Sequence, residues 1–231
     1  MLKNVSFSYD APVLENISIN SDNGITAIAG KSGCGKTTLL RILSGLITPD
    51  SGDVTHSGRV GMVFQEPRLF PWFTVERNLK SVMKQQKLSK NETDERIGKV
   101  LEIVGLGDCR KKYPSELSGG MKMRVSIARS LVYECDMLLM DEPFNGLDIP
   151  SKAAISELLR KLSADGLKIL FVSHIPEDII EVADRIYILS PRPAKIIDYF
   201  SNPLVLKKGY ERRERTELIN RIRKGLGGST V

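Results

Sequence analysis

Short apolar runs separated by turn residues and helical stretches make up most of the chain. "VSFSY" (5–9) and "ISIN" (17–20) alternate apolar with polar positions, and Asp10-Ala11-Pro12 supplies a turn between them. These two runs predict half-buried antiparallel strands. Five others are apolar almost throughout: "ITAIAG" (25–30), "RVGMVFQ" (59–65), "DMLLMD" (136–141), "KILFVSH" (168–174) and "RIYILS" (185–190). Strands of that kind are covered on both faces. Helical stretches separate several of them, so the pattern predicts an α/β fold with a mainly parallel sheet.

Residues 74–134 have a different rhythm. Ser89 and Glu92 stand at capping-box spacing. Ile97, Val100, Leu101 and Val104 follow at i, i+3, i+4 and i+7, and Gly105 closes the helix. No strand pattern returns before Asp136. The segment reads as a helical subdomain inserted into the α/β core. Residues 1–73 and 135–200 then hold the antiparallel strands and the main sheet, and 201–231 form a basic, helical C-terminal segment.

Composition adds little to this picture until charge is located. With 231 residues, 41% hydrophobic and 27% charged, the chain is of ordinary globular type, enough for one good core and at most two small domains. No run approaches the ~18 continuous apolar residues of a membrane span. "MLKNVSFSYD" lacks the basic-then-apolar layout of a secretory signal, which predicts a cytoplasmic protein. Cys34, Cys109 and Cys135 show no CxxC spacing, so neither a disulfide framework nor a zinc site is indicated. The net charge of +6 is concentrated: Lys207 to Lys224 holds eight Lys or Arg against three Glu. That segment reads first as a solvated helix face and second as a membrane-surface contact.

"GKSGCGKTT" follows a strand-like run and leads into "LLRILSG". Gly30, Gly35, Lys36 and Thr37 satisfy G-x-x-x-x-G-K-[ST]. In such a loop (Gly30, Lys31, Ser32, Gly33, Cys34, Gly35, then Thr38 behind Thr37) backbone N–H groups wrap phosphates. Lys36 reaches the β and γ oxygens, and the Thr37 hydroxyl suits Mg²⁺. "LLMDEP" (138–143) sets two carboxylates at a buried strand end, the edge where ligands of α/β sheets collect. Asp141 is suited to Mg²⁺ and Glu142 to polarising an attacking water. His174 ends the next buried strand and is expected at the γ-phosphate. His56 receives no role.

"LSGGMKMRVSIARSL" (117–131) presents a second anion-binding design, with Ser118, Gly119 and Gly120 where an amphipathic helix begins. One bound nucleotide does not need two cradles. The set "GKSGCGKTT", Gln65, "LSGG", "LLMDEP", "NGLD" (145–148) and His174, in that order, resembles the ATPase subunits of ABC transporters. The resemblance covers Tyr9 to at least Ala194. It implies a P-loop NTPase of the ABC type, with a RecA-like α/β core, an antiparallel β subdomain and an inserted helical subdomain. It also implies ATP and Mg²⁺ as ligands.

The same resemblance answers the question of the second cradle. Two subunits pack head to tail, in the simplest case as a homodimer, so that Ser118 and Gly120 of each contact the γ-phosphate held by the other. Asp148 helps join the two sites. Gln65 contacts Mg²⁺ or the attacking water and senses the transport partner. Tyr9 sits where a ring stacks on adenine, and Met121 stands where Gln commonly closes the signature. Cys34 is a small neutral filler; if exposed, it would make the ATPase sensitive to maleimide.

"EPRLFPWFTVERNL" carries Phe70, Trp72 and Phe73 in a short proline-broken stretch. It reads as packing between subdomains or as a groove for a helix of a membrane subunit. This stretch and "LSPRPAKI" (189–196) resemble the importers for nitrate, aliphatic sulfonates and taurine. The expected partners are permease subunits that hold the protein on the inner face of the membrane, with an extracytoplasmic solute-binding protein acting indirectly. The alternative is a soluble ABC-class ATPase acting on nucleic acid or ribosomes. The short spacing from Gln65 to Ser118 leaves no room for the coiled coil of the repair type, and a single cassette argues against the ribosomal type.

Overall fold

Apolar runs too short for helices bury both faces by pairing edge to edge inside a layered core. The computed structural model describes every residue except 22, 56, 57, 85, 207–211 and 228–231, and the side chains of 205 and 206. His56 and the first residues of the basic tail therefore lie outside the described residues.

The antiparallel pair of the sequence reading is present as β1 (Leu2–Ser8) and β2 (Pro12–Ile19). They are joined by β4 (Ser51–Val54) in a three-stranded sheet of order β2-β1-β4. The main sheet contains β3 (Ile25–Ala29), β5 (Val60–Val63), β6 (Met137–Asp141), β7 (Lys168–Ser173), β8 (Arg185–Leu189) and β9 (Ile196–Ser201). Its order is β5-β6-β7-β3-β8-β9, parallel throughout except for β9, which runs antiparallel to β8. The sequence pattern predicted neither β4 nor β9. "SGDV" has a single apolar side chain and owes its strand to pairing with the edge of β1.

Alternation along the central strands divides the core into two layers. Leu138, Met140, Ile169, Phe171, Ile186 and Ile188 point into one apolar cluster. Their neighbours Leu139, Leu170, Val172, Tyr187 and Leu189 point into another. The second layer holds α1 (Lys36–Leu43) and the inner face of the antiparallel sheet. The first layer is covered by α5 (Ile149–Ala164), α6 (Pro176–Val182) and α7 (Arg212–Gly225), with Phe144 edge-on to Phe171 at 5.8 Å.

Between β5 and β6 the described residues form α2 (Val75–Met83), α3 (Lys90–Ile103) and α4 (Gly119–Val132), with two short 3₁₀ turns and no strand. The Ser89–Glu92 capping box starts α3, and Gly105, at φ +66°, ends its turn. Val75, Leu79, Ile97, Leu101 and Ile127 of these helices join the first apolar layer, so the helical block has no separate core.

The basic C-terminal helix is largely neutralised by its own chain. Arg221 pairs with Asp198 at 2.7 Å, Arg223 with Glu177 at 2.6 Å and Arg213 with Glu217 at 3.0 Å. Gly225 lies so close to Ile188 that a Cβ would stand 2.7 Å from its side chain. The segment is thus a helix docked along one side, with its ion-paired charges left on a solvated face.

Two buried or half-buried side chains hold the aromatic stretch: Arg129 donates to the carbonyls of Pro67 and Arg68, and Asn78 clamps the aromatic residues themselves. Asn78, fully buried in α2, accepts a hydrogen bond from Phe70 N at 2.8 Å and donates to the carbonyls of Phe70, Phe73 and Thr74. Asn78→Ala is expected to cost about 2–4 kcal/mol, because these bonds are lost in a buried setting. Urea unfolding measures the loss, and a change below about 0.5 kcal/mol would contradict the clamp.

Candidate functional site: a phosphate cleft at the sheet edge

Parallel strands end on one side, so the loops after β3, β5, β6, β7 and β8 emerge together. A cleft of about 300 Å³ opens there, lined by Ser32, Gly33, Gly35, Lys36, Thr37, Thr38, Gln65, Asp141, Glu142 and Arg192. Most were expected from the sequence. Arg192 was not: it lies in the "LSPRPAKI" stretch, which was read for its likeness to importers and not for phosphate; its position just beyond β8 is the signal that could have found it.

The loop 30–35 turns tightly from β3 into α1. Gly35 has φ +123° and is packed against Val13 and Leu14, so a side chain there would be both strained and crowded. A Cβ on Gly30 would stand 2.6 Å from Cys34 Sγ. Cys34 is buried, and burial pushes its thiol pKa up, which fits the filler role and excludes the exposed alternative. Lys36 donates to Gly30 O at 2.7 Å and Lys31 O at 3.2 Å, and its Nζ lies 3.3 Å from Glu142 Oε1. Lys31 and Ser32 are exposed on the loop.

Asp141 ends β6, and Glu142 follows it on a different bearing. Thr37 Oγ1 donates to Asp141 Oδ2 at 2.8 Å. Burial raises the Asp141 pKa, and the Thr37 hydrogen bond opposes that rise. Glu142 sits in the left-handed region at φ +48°, where its N–H donates to Val172 O and its carboxylate turns toward His174. Both carboxylate oxygens lie 3.0 Å from His174 Nδ1. An ionised carboxylate only accepts, so Nδ1 carries the hydrogen of this contact.

Other expected residues lie apart from the cleft lining. Tyr9 is 53% exposed and meets Phe7 edge-on at 4.8 Å. Ser118 caps α4, accepting from Met121 N at 3.2 Å, a bond that does not depend on the Met121 side chain. Gly120 is packed directly on Ser151, and Gly119 faces Leu147. Asp148 caps α5 by accepting from Ser151 N at 2.8 Å, which holds its carboxyl below the usual range. The LSGG and NGLD segments therefore form one contiguous surface, joined through α5.

The ABC transporter family matches residues 14–145 of this chain. A nitrate import ATP-binding protein of Synechocystis sp. is 43% identical over 196 residues, which are 79% of this chain and 73% of that protein. An aliphatic sulfonates import ATP-binding protein of Bacillus cereus is 36% identical over 222 residues, covering 92% and 86%. A taurine import ATP-binding protein of Mesorhizobium japonicum is 35% identical, with the same coverage. Among solved structures, cbiO1 from Clostridium perfringens, part of an ABC transporter complex, superposes with a TM-score of 0.81 at 26% identity over 97% of this chain and 96% of that one. A bacterial ABC transporter cassette solved as a dimer gives a TM-score of 0.77 at 26% identity, covering 90% and 99%. Motifs, sheet order and relatives agree: the chain belongs to the ABC transporter family, as one of its ATP-binding ATPase cassettes.

Proposed function

We propose that two copies of this chain pair head to tail and hydrolyse ATP to drive a membrane importer for a small solute of the nitrate, sulfonate or taurine kind. The observation that carries the pairing is the separation of parts within one chain. The cleft holds the lysine, the glycine loop and the acid pair, while Ser118 to Gly120 are set on another surface with Asp148 beside them. Head-to-tail docking brings the second anion cradle over the first cleft of the partner. The relatives named for import, and the related cassette solved as a dimer, support this reading.

Within each cleft the loop amides and Lys36 hold the phosphate oxygens. Glu142 takes a proton from the attacking water as its oxygen bonds to the γ-phosphorus and the bond to the β–γ bridging oxygen breaks, leaving ADP and phosphate. His174 keeps the Glu142 carboxylate oriented through Nδ1, so a contact from its Nε2–H to the γ-phosphate requires the doubly protonated ring. The hydroxyl of Thr37 and the buried carboxylate of Asp141, 2.8 Å apart, are hard oxygen donors that fit Mg²⁺, with Gln65 at the rim. When bound, Mg²⁺ would neutralise charge on the β- and γ-phosphates.

The permease contact falls on the helical side. Phe70 and Trp72 are exposed and packed on each other at 5.9 Å. A groove of about 460 Å³ runs between β5, α2 and α4, lined by Met62, Val82, Arg129 and Tyr133 among others, and Arg129 joins it to the carbonyls of Pro67 and Arg68. A short helix of a membrane subunit fits such a groove. No helix among the described residues is long and apolar enough to cross a membrane, so attachment to the inner face runs through those subunits. Recognition of the solute belongs to the permease and to a solute-binding protein.

Glu142→Gln is expected to lower kcat about a hundredfold or more while ATP still binds. Gel filtration with ATP and Mg²⁺ should then show a stable dimer; wild-type turnover by this variant, or a monomer in ATP, would contradict the proposal. Maleimide at neutral pH is expected to leave Cys34 unmodified and ATPase activity intact, as read by mass spectrometry. Rapid labelling of Cys34 in the native protein would show that the filler is accessible.

A further inference from the structure

The parallel sheet orders the cleft from side to side. Glu142 follows β6, His174 follows β7, the glycine loop follows β3, and residues 190–195 follow β8. The last of these loops lies across the glycine loop from the hydrolytic carboxylate. It is also well anchored. Ser190 N donates to Lys195 O, and Ser190 Oγ accepts from Lys195 N, both at 2.9 Å. Ala194 exchanges hydrogen bonds with β2, donating to Val13 O and accepting from Glu15 N, again at 2.9 Å. The loop is thus clipped to the strand that packs on Gly35.

Arg192, at the tip of this loop, lines the phosphate cleft and is exposed. No hydrogen bond or ion pair engages its side chain among the described residues. Lys36, the other cation in the lining, is paired with Glu142. The Arg192 guanidinium is close enough for its field to oppose the rise in the Cys34 thiol pKa. An anchored loop presents a planar, five-donor fork, unpartnered, to a site built for phosphate.

The geometry points to Arg192 as a nucleotide-binding residue that grips the α- and β-phosphates of ATP from the side opposite Glu142. This rests on the ATPase reading and adds to it a contact outside the phosphate-binding motifs. Because the grip lies away from the γ-phosphate, ADP feels it as strongly as ATP. Arg192 therefore acts on affinity rather than on water activation.

Calorimetric binding of Mg²⁺-ADP to wild type, Arg192→Gln and Arg192→Lys tests the assignment. Arg192→Gln is expected to bind ADP about tenfold more weakly, the loss of a charge-assisted phosphate contact. KM for ATP should rise by the same factor, with kcat changing far less. Arg192→Lys, which keeps the charge without the fork, should fall between. Thermal unfolding without nucleotide separates lost binding from a collapsed loop, and if Arg192→Gln is unstable the Lys variant decides. Wild-type ADP affinity in a folded Arg192→Gln protein, or a loss of kcat at constant KM, would overturn the assignment. Failure of the wild-type chain itself to bind ADP would instead overturn the ATPase reading.

Discussion

Parallel pairing of β3 with β7 on one side and β8 on the other is the constraint from which the cleft follows. Once these strands and β6 share a direction, the residues after each strand must meet along a single edge. Positions more than a hundred apart in sequence then come within bonding distance, as Thr37 and Asp141 do at 2.8 Å. Pairing of this kind requires cover on both faces. The antiparallel sheet with α1 supplies one cover and the helices α4 to α7 the other, so the two apolar layers and the site form one construction.

The charged groups of the cleft are held in a linked row. Lys36 reaches the carbonyls of its own loop and the carboxylate of Glu142, which in turn meets His174. Asp141, one residue earlier, is turned toward Thr37 instead. Adjacent carboxylates on a strand point to opposite faces, and the left-handed backbone of Glu142 turns its carboxylate toward Lys36 and His174. Two acids in consecutive positions thus take separate partners.

Much of this was legible in the residues. Five buried strands and the antiparallel pair showed as hydrophobic patterns, and the Ser89–Glu92 cap marked a helix start that the structure contains. The cradle and acid pair were recognisable because their chemistry needs fixed spacings. β4 escaped because three of its four residues carry little apolar signal. The ion pairs of the basic tail were not legible because its acidic partners, Asp198 and Glu177, lie elsewhere in the chain. Arg192 escaped because its stretch was read for its likeness to importers, and its place after β8 was not used as a sign of the cleft.

By itself the sequence determined the kind of chemistry and the local elements, since turn geometry, capping and strand periodicity depend on near neighbours. Only the tertiary structure decided which charges are matched, which thiol is buried and which cation is left to face the cleft. Those properties depend on distances between segments that pair through the sheet, and such distances have no local trace in the order of residues.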